Sequence, residues 1–284
     1  MAALAKLAPE EFQWIRQFMR DHTGVEIQSG KEYFVAGRLT PLLVQSGCPN
    51  LAVFFQKLER NVGSLRSQVI DALTTHETLW FRDDSFFDAL AETVLPQLLE
   101  KARRNPPVRI WSAATATGQE AYSVVMLLDA LGRKMDEQFT LDNFFILGTD
   151  ISRASLAIAR HGVYDRLGIS RGMRLDFLKH YFTREDDLYE VIPSIRRAVR
   201  FEPFNLKNPL LSLGTFDLIL CRNVLIYFSE ETKRSICERM CGALTRPDGY
   251  FAIGASESLL EMDVGFRTTA VGRAVLYQPK LCLT

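Results

Sequence analysis

Between Arg109 and Tyr122 the chain reads RIWSAATATGQEAY. Val108 to Ser112 has the apolar character of a short buried strand, a turn of small residues follows and ends in Gly118, and a helix begins after it. A second apolar run, Phe144 to Thr149, stops at Asp150. Small residues after one strand let a ligand approach the backbone, and a carboxylate at the tip of the next can hold a ribose by its hydroxyls. Together they describe a nucleotide-type cofactor site at the carboxyl edge of a parallel sheet. The turn has one glycine where the dinucleotide fingerprint has three, so that fingerprint is absent. An ordinary strand-turn-helix of an α/β core competes with the cofactor reading.

The elements that must position these residues fall into two groups. Residues 1 to about 75 read as short helices. Pro9, Glu10 and Glu11 make a good helix start, with Phe12, Ile15, Phe18 and Met19 on one apolar face. Lys31 to Arg38 looks helical, and Pro41 predicts a break near Thr40, with Thr40 capping a new start, because proline costs about 3 kcal/mol inside a helix. From about Asp83 the pattern alternates: an amphipathic helix, then strands and helices at Val108–Ser112, Glu120–Leu131, Phe144–Thr149, Ser152–His161, Phe216–Cys221, Glu230–Leu244 and Tyr250–Gly254. Such alternation predicts a mostly parallel sheet covered on both faces. Phe266–Ala270 and Ala274–Gln278 flank a glycine-containing turn and read as a closing hairpin. Two short strands around Pro193 interrupt the alternation between Tyr181 and Phe204.

Composition bounds the function. With 284 residues the chain can hold a large and a small domain, and 34 basic against 34 acidic residues leave no basic excess for nucleic acid. No apolar run approaches the roughly 20 residues that span a bilayer. MetAlaAlaLeuAlaLys lacks a signal-peptide core, and five cysteines without paired spacing suit a reducing cytoplasm. Cys237 and Cys241 share a predicted helix face, but neither they nor the four histidines have metal-ligand spacing.

Two further stretches carry the strongest signal: LTTHETLWFRDDSFF, Leu73 to Phe87, and FDLILCRNVLIYF, Phe216 to Phe228. With RIWSAATATGQEAYS between them and GTDIS at Gly148 to Ser152, the chain resembles the CheR-type chemotaxis receptor methyltransferases over nearly its whole length. The resemblance implies a class I methyltransferase (Rossmann-like) α/β fold. It has a mostly parallel sheet ending in an antiparallel hairpin, a small antiparallel insert at about 181–204, and a separate all-α N-terminal domain. Residues 1–75 would dock the receptor and 76–284 would bind S-adenosylmethionine, leaving S-adenosylhomocysteine as product. The implied activity is methyl transfer to glutamate side chains on the cytoplasmic part of methyl-accepting chemoreceptors. It would be carried out by a monomeric bacterial cytoplasmic enzyme recruited to membrane-bound receptor arrays, without inserting in the membrane itself.

The implied reaction needs little from the protein chemically. A glutamate, with a pKa of about 4.3, is already an anion at neutral pH and requires no general base. Anion and sulfonium neutralise each other as the bond forms, so a tight grip on the carboxylate would hold back the ground state; alignment and partial desolvation help instead. The resemblance places Arg82 and Tyr227 near the transferred methyl; a surface ion pair and a core aromatic are their structural alternatives. It gives Asp150 the ribose hydroxyls, with a role at the helix start beside Ser152 as the alternative, and Glu120 the cationic methionine end. Ala113 would offer its backbone, His76 and Thr78 would cover the cofactor, Asn205 and Leu206 would meet the adenine, and Arg222 and Asn223 would close the pocket.

Three departures matter. Position 76 is His where many relatives have Asn. Arg38 matches a basic docking helix, but Thr40, Pro41 and Leu42 stand where more arginines are expected. The insert is shorter than in relatives that grip a receptor's C-terminal tether, which predicts tether-independent recognition. A small-molecule or amide methyltransferase is the rival enzyme, against which CysArgAsnValLeuIleTyr replaces an Asn-Pro-Pro-Tyr-like loop. A non-catalytic adaptor with the same fold is the third reading.

Overall fold

The computed structural model describes residues 7–60 and 64–280; Cys282 and the extreme N-terminus lie outside the described residues. The chain opens with four helices, α1 (Pro9–Thr23), α2 (Glu32–Gln45), α3 (Leu51–Glu59) and α4 (Leu65–Leu73). Pro9 sits in the first turn of α1, Glu11 accepts a hydrogen bond from the Ala8 N–H at 2.8 Å, and Gly24 ends the helix with φ of 81°. These helices close over their own core of Phe12, Ile15, Met19, Leu39, Phe54, Leu58 and Val69.

The predicted break at Thr40 is absent. α2 runs through Pro41, and Thr40 is a buried interior residue whose hydroxyl donates to the Ala36 carbonyl at 2.7 Å. Burial of Val35, Ala36 and Leu39 against the other helices holds the helix together, because tertiary packing outweighs local propensity.

The second unit begins with α5 (Asp84–Ala89), a π-type turn at Leu90–Val94 and α6 (Leu95–Arg104). Then come β1 (Val108–Ala113), α7 (Gln119–Met135), β2 (Phe144–Asp150) and α8 (Arg153–His161). Next are β3 (Val163–Asp165), α9 (Arg166–Ser170), α10 (Leu175–Tyr181), β4 (Phe182–Glu185), β5 (Leu188–Val191), α11 (Pro193–Arg197) and β6 (Val199–Pro203). β7 (Leu218–Leu220), α12 (Glu230–Gly242), β8 (Tyr250–Ala252), β9 (Phe266–Val271) and β10 (Ala274–Pro279) complete the order. Seven strands form one sheet in the order β6-β2-β1-β7-β8-β10-β9, parallel except for β10, which runs antiparallel to both β8 and β9.

Alternation across the pleat serves two cores at once. Val108, Ile110, Ile146, Leu218 and Leu220 point into one layer with α5, α6 and α7, while Trp111, Leu147 and Ile219 point into the other with α12. The chain steps outward from β1 to β2 to β6 and then returns to β7 on the other side of β1. That reversal opens a crevice at the carboxyl ends of the central strands, where α/β sheets bind ligands.

The insert departs from its predicted bounds. The second of the two strands expected around Pro193 does not belong to it: Val199–Pro203 pairs in parallel with β2 as the edge of the main sheet. The insert sheet instead starts earlier and has the order β3-β5-β4. A strand of five residues that alternates apolar and charged side chains reads alike in either setting, and only its pairing partner decides. The insert is fixed to the body by Trp80, whose indole N–H donates to the Gly168 carbonyl at 3.0 Å and whose ring meets Tyr164 and Phe182 edge-on.

Candidate active site

The crevice is a cleft of about 1230 Å³, counting its open mouth. Its floor is built where β1 and β2 end. After Ala113 the backbone turns through Ala114 and Ala116, with φ of 58° and 50°. The Thr115 N–H returns to the Thr149 carbonyl at 2.8 Å. Asp150 completes the turn: one carboxylate oxygen accepts from the Ala116 N–H and the other from the Ser152 N–H, both at 2.9 Å. Ser152, not Asp150, caps α8, accepting from the Ser155 N–H at 3.0 Å.

Asp150 is 5% exposed. Burial pushes its carboxyl above the usual aspartate range, opposed in turn by the Ser152 N–H, by His76 and by the Ala116 N–H. The imidazole Nδ1 of His76 lies 3.8 Å from Asp150 Oδ1, and its Nε2 lies 2.8 Å from the Thr74 hydroxyl. His76 therefore stands between the end of α4 and the Asp150 carboxylate.

Glu120, in the first turn of α7, accepts from the Ser112 hydroxyl at 2.8 Å and from Arg222 at 3.0 Å. Arg222 is a hub. Its side chain is 1% exposed, it also donates to Asp83 and to the Arg82 carbonyl at 2.7 Å each, and its guanidinium lies 4.0 Å over the Phe86 ring. Arg222 holds Glu120 and the Arg82 segment in a single network. A buried arginine charge needs such paired, hydrogen-bonded surroundings.

His76, Thr78, Arg82, Glu120, Asp150, Asn205, Leu206, Arg222, Asn223 and Tyr227 all line this cleft. Ala113 does not: it is buried as the last residue of β1, paired with Thr149, and the lining passes to Ala114, Thr115 and Ala116. Arg38 is exposed on α2, with its guanidinium 5.4 Å from the Phe34 ring centroid, and is not among the cleft residues. Asn205 lines the cleft, but its amide donates to the His22 carbonyl at 2.7 Å and its side-chain oxygen accepts from the Lys207 N–H at 3.0 Å. It therefore serves the joint between the two units.

Sequence reading missed the wall contributed by the helical unit. Thr23 and Val25 line the cleft, the Glu26 N–H donates to the Tyr227 carbonyl at 2.8 Å, and Val25 bridges Phe228. Nothing in the ThrGlyValGlu stretch signals a ligand; Gly24, with its φ of 81°, is the one local sign of a sharp exit from α1. Apolar Ile151, Phe204 and Val224 complete the walls.

Phe81, Asp83, Ala114, Ala116 and Asn223 hold φ of 47°, 64°, 58°, 50° and 58° on three of the segments that surround the cleft. Each such non-glycine conformation costs on the order of 1–3 kcal/mol, and it persists where surrounding structure over-determines it.

The donor set narrows the ligand. Carboxylates on the floor suit hydroxyl donors and a cationic end, and they disfavour a phosphate. The apolar walls suit a base. The fit is to a nucleoside carrying positive charge. Fold and site together define the class, a class I S-adenosylmethionine-dependent methyltransferase.

Comparison with known proteins agrees. Residues 76–275 match "CheR methyltransferase, SAM binding domain" and residues 10–74 match "CheR methyltransferase, all-alpha domain". The chain belongs to the CheR methyltransferase family. It is 39% identical over 274 residues to chemotaxis protein methyltransferase 1 of Pseudomonas aeruginosa, covering 96% of this chain and 99% of that protein. It is 38% identical to chemotaxis protein methyltransferase Cher2 of Pseudomonas putida, covering 95% and 98%. With chemotaxis protein methyltransferase of Vibrio parahaemolyticus the identity is 35%, over 96% and 98%.

Proposed function

We propose that this methyltransferase modifies glutamate side chains on the cytoplasmic domains of methyl-accepting chemoreceptors, forming methyl esters for sensory adaptation. The observation that carries the reading is the convergence of Arg82 and Tyr227 with Asp150 and Glu120 on one cleft, in a chain whose relatives are named chemotaxis protein methyltransferases. When bound, S-adenosylmethionine supplies an activated methyl group on a sulfonium sulfur. Asp150 accepts the ribose hydroxyls on lone pairs left over from its two backbone donors. Glu120, held by Ser112 and Arg222, faces the cationic amino-acid end. Leu206 and its apolar neighbours would pack on the base, and His76 and Thr78 would cover the cofactor from the segment that joins the two units.

Arg82 and Tyr227 receive the incoming carboxylate. The arginine offers a fixed positive fork and the tyrosine a neutral hydroxyl, so the acceptor stays ionised and aimed without a strong grip. Arg38 beside Phe34, with Tyr33 77% exposed on the same helix, gives the helical unit a basic and aromatic surface for the receptor. A monomer is the working unit of this proposal. Among the described residues no helix is long and apolar enough to cross a membrane, so the receptor itself would bring the enzyme to the array.

The test is labelled methyl transfer from the cofactor to a panel of receptor cytoplasmic fragments, each with and without its C-terminal tail. Label should enter wild-type fragments, should be lost when their acceptor glutamates become alanine, and should not require the tail. Label on small molecules or amide nitrogens alone would overturn the assignment.

A further inference from the structure

A carboxylate outside the cleft lining governs the loop that carries Tyr227. Glu257 lies in the segment after β8. Its Oε2 accepts from the backbone N–H of Asn223 at 2.9 Å and of Gly254 at 2.6 Å. Its Oε1 accepts from the N–H of Leu225 at 2.8 Å and of Ile226 at 3.3 Å. Four amide donors thus converge on one side chain. Three of them belong to the stretch between Arg222 and Tyr227, and two sit at the start of the single 3-10 turn Leu225–Tyr227. A carboxylate there satisfies donors that a short turn leaves open.

The seat is tight. Asn223 sits at φ of 58°, and a Cβ on Gly254 would come within 2.9 Å of Asn223 Cγ. From the other side the Glu26 N–H holds the Tyr227 carbonyl. The strained backbone at Asn223 therefore needs an anchor, and the donors point at Glu257.

We propose that Glu257 is a positioning residue for methyl transfer: its carboxylate fixes the Asn223–Ile226 backbone and so sets the Tyr227 hydroxyl against the acceptor carboxylate. It touches neither cofactor nor acceptor. The inference rests on the role given to Tyr227 above.

Glutamine at this position keeps one acceptor and turns an N–H₂ group toward amide N–H donors. In the full-length chain, Glu257→Gln should lower the single-turnover rate on a receptor fragment roughly 10- to 100-fold. S-adenosylhomocysteine affinity should stay within about threefold of wild type. In a Tyr227→Phe background the same change should cost little more, because both act through one hydroxyl. Amide hydrogen exchange at Asn223, Leu225 and Ile226 should speed up at least about tenfold. Glu257→Asp keeps the charge and both oxygens, and should show a smaller rate loss that Tyr227→Phe again masks; it serves if the glutamine variant does not fold.

Multiplicative losses in the Tyr227→Phe background, unchanged exchange, or an equal loss of cofactor affinity would overturn the proposal. A wild-type chain that binds cofactor but methylates no receptor fragment would instead remove the reading beneath it. The exchange difference at the three amides would remain visible in that case.

Discussion

At the scale of single residues the site depends on acceptors that are already partly engaged. Asp150 gives one oxygen to each of two backbone amides and keeps lone pairs for a ligand. Asp150→Ala removes the acceptor and leaves two amides unmet, so the cofactor dissociation constant should rise roughly 10- to 100-fold, the equivalent of one charged hydrogen bond. Calorimetry will read it. The pH dependence has a definite sign. Ribose hydroxyls donate best to the ionised carboxylate, and burial raises the proton affinity of that group. Cofactor affinity should therefore fall as pH is lowered, and the fall should begin above the ordinary aspartate value of about 3.9. In the alanine variant that part of the profile should be flat. Tyr227→Phe should behave oppositely, with turnover down about 10- to 100-fold and cofactor affinity near normal, because its proposed role is toward the acceptor. Equal losses in both would contradict its role. The thiols lie outside this chemistry: burial, above all, pushes Cys237 up to about 12, so it stays protonated in the core.

At the scale of elements, the cleft depends on how α1 is held. Lys207 donates to the Arg20 and Asp21 carbonyls at 3.0 and 2.9 Å, closing the carboxyl end of that helix with a positive charge, while Asn205 holds the next carbonyl along. This seat presents Thr23 and Val25 to the cleft. Asn205→Ala should cost about 1 kcal/mol and lower the thermal midpoint by roughly 2–4 °C for a chain of this size. Cofactor affinity should weaken in step. An affinity loss with an unmoved midpoint would return Asn205 to direct contact with the adenine. Local pattern could not show this. PheAsnLeu reads as the end of a strand followed by a turn, and the partner carbonyl at His22 lies 183 residues away. The strand and helix sequence was legible because both faces of the sheet are covered, which makes β1, β2 and β7 short apolar runs bounded by small or polar residues. Pro41 misled for the converse reason: the packing around Val35 and Leu39 that keeps α2 intact is tertiary.

At the scale of the molecule, two units form from contiguous sequence, the helical one with its own core and the sheet with a core on each face, and they meet across the cleft. The helical core spans Leu7 to Leu73, the layers around the sheet begin at Trp80, and the intervening segment carries His76, Thr78 and Glu77 along the cleft. A segment that joins two units and walls the site can feel both. His76 touches Thr74 at the end of the helical unit and faces Asp150 on the other. The four separated motifs made the family legible and pointed to many of the residues that line the cleft. Their contacts with one another were not legible, because the network of Arg222 with Glu120, Asp83 and the Arg82 carbonyl is assembled from residues more than a hundred positions apart. Ala113 is held by the sheet in register with Thr149, and the cleft lining begins at Ala114, where φ turns positive.

The central claim is that this cleft delivers a methyl group to a carboxylate, and the product's chemistry tests it most directly. Receptor fragment labelled by the wild-type chain should be treated with mild alkali and the volatile label measured. A methyl ester releases essentially all of its label as methanol, and the account predicts that result. Label that stays on the protein through alkali would place the methyl on nitrogen or carbon and would contradict it.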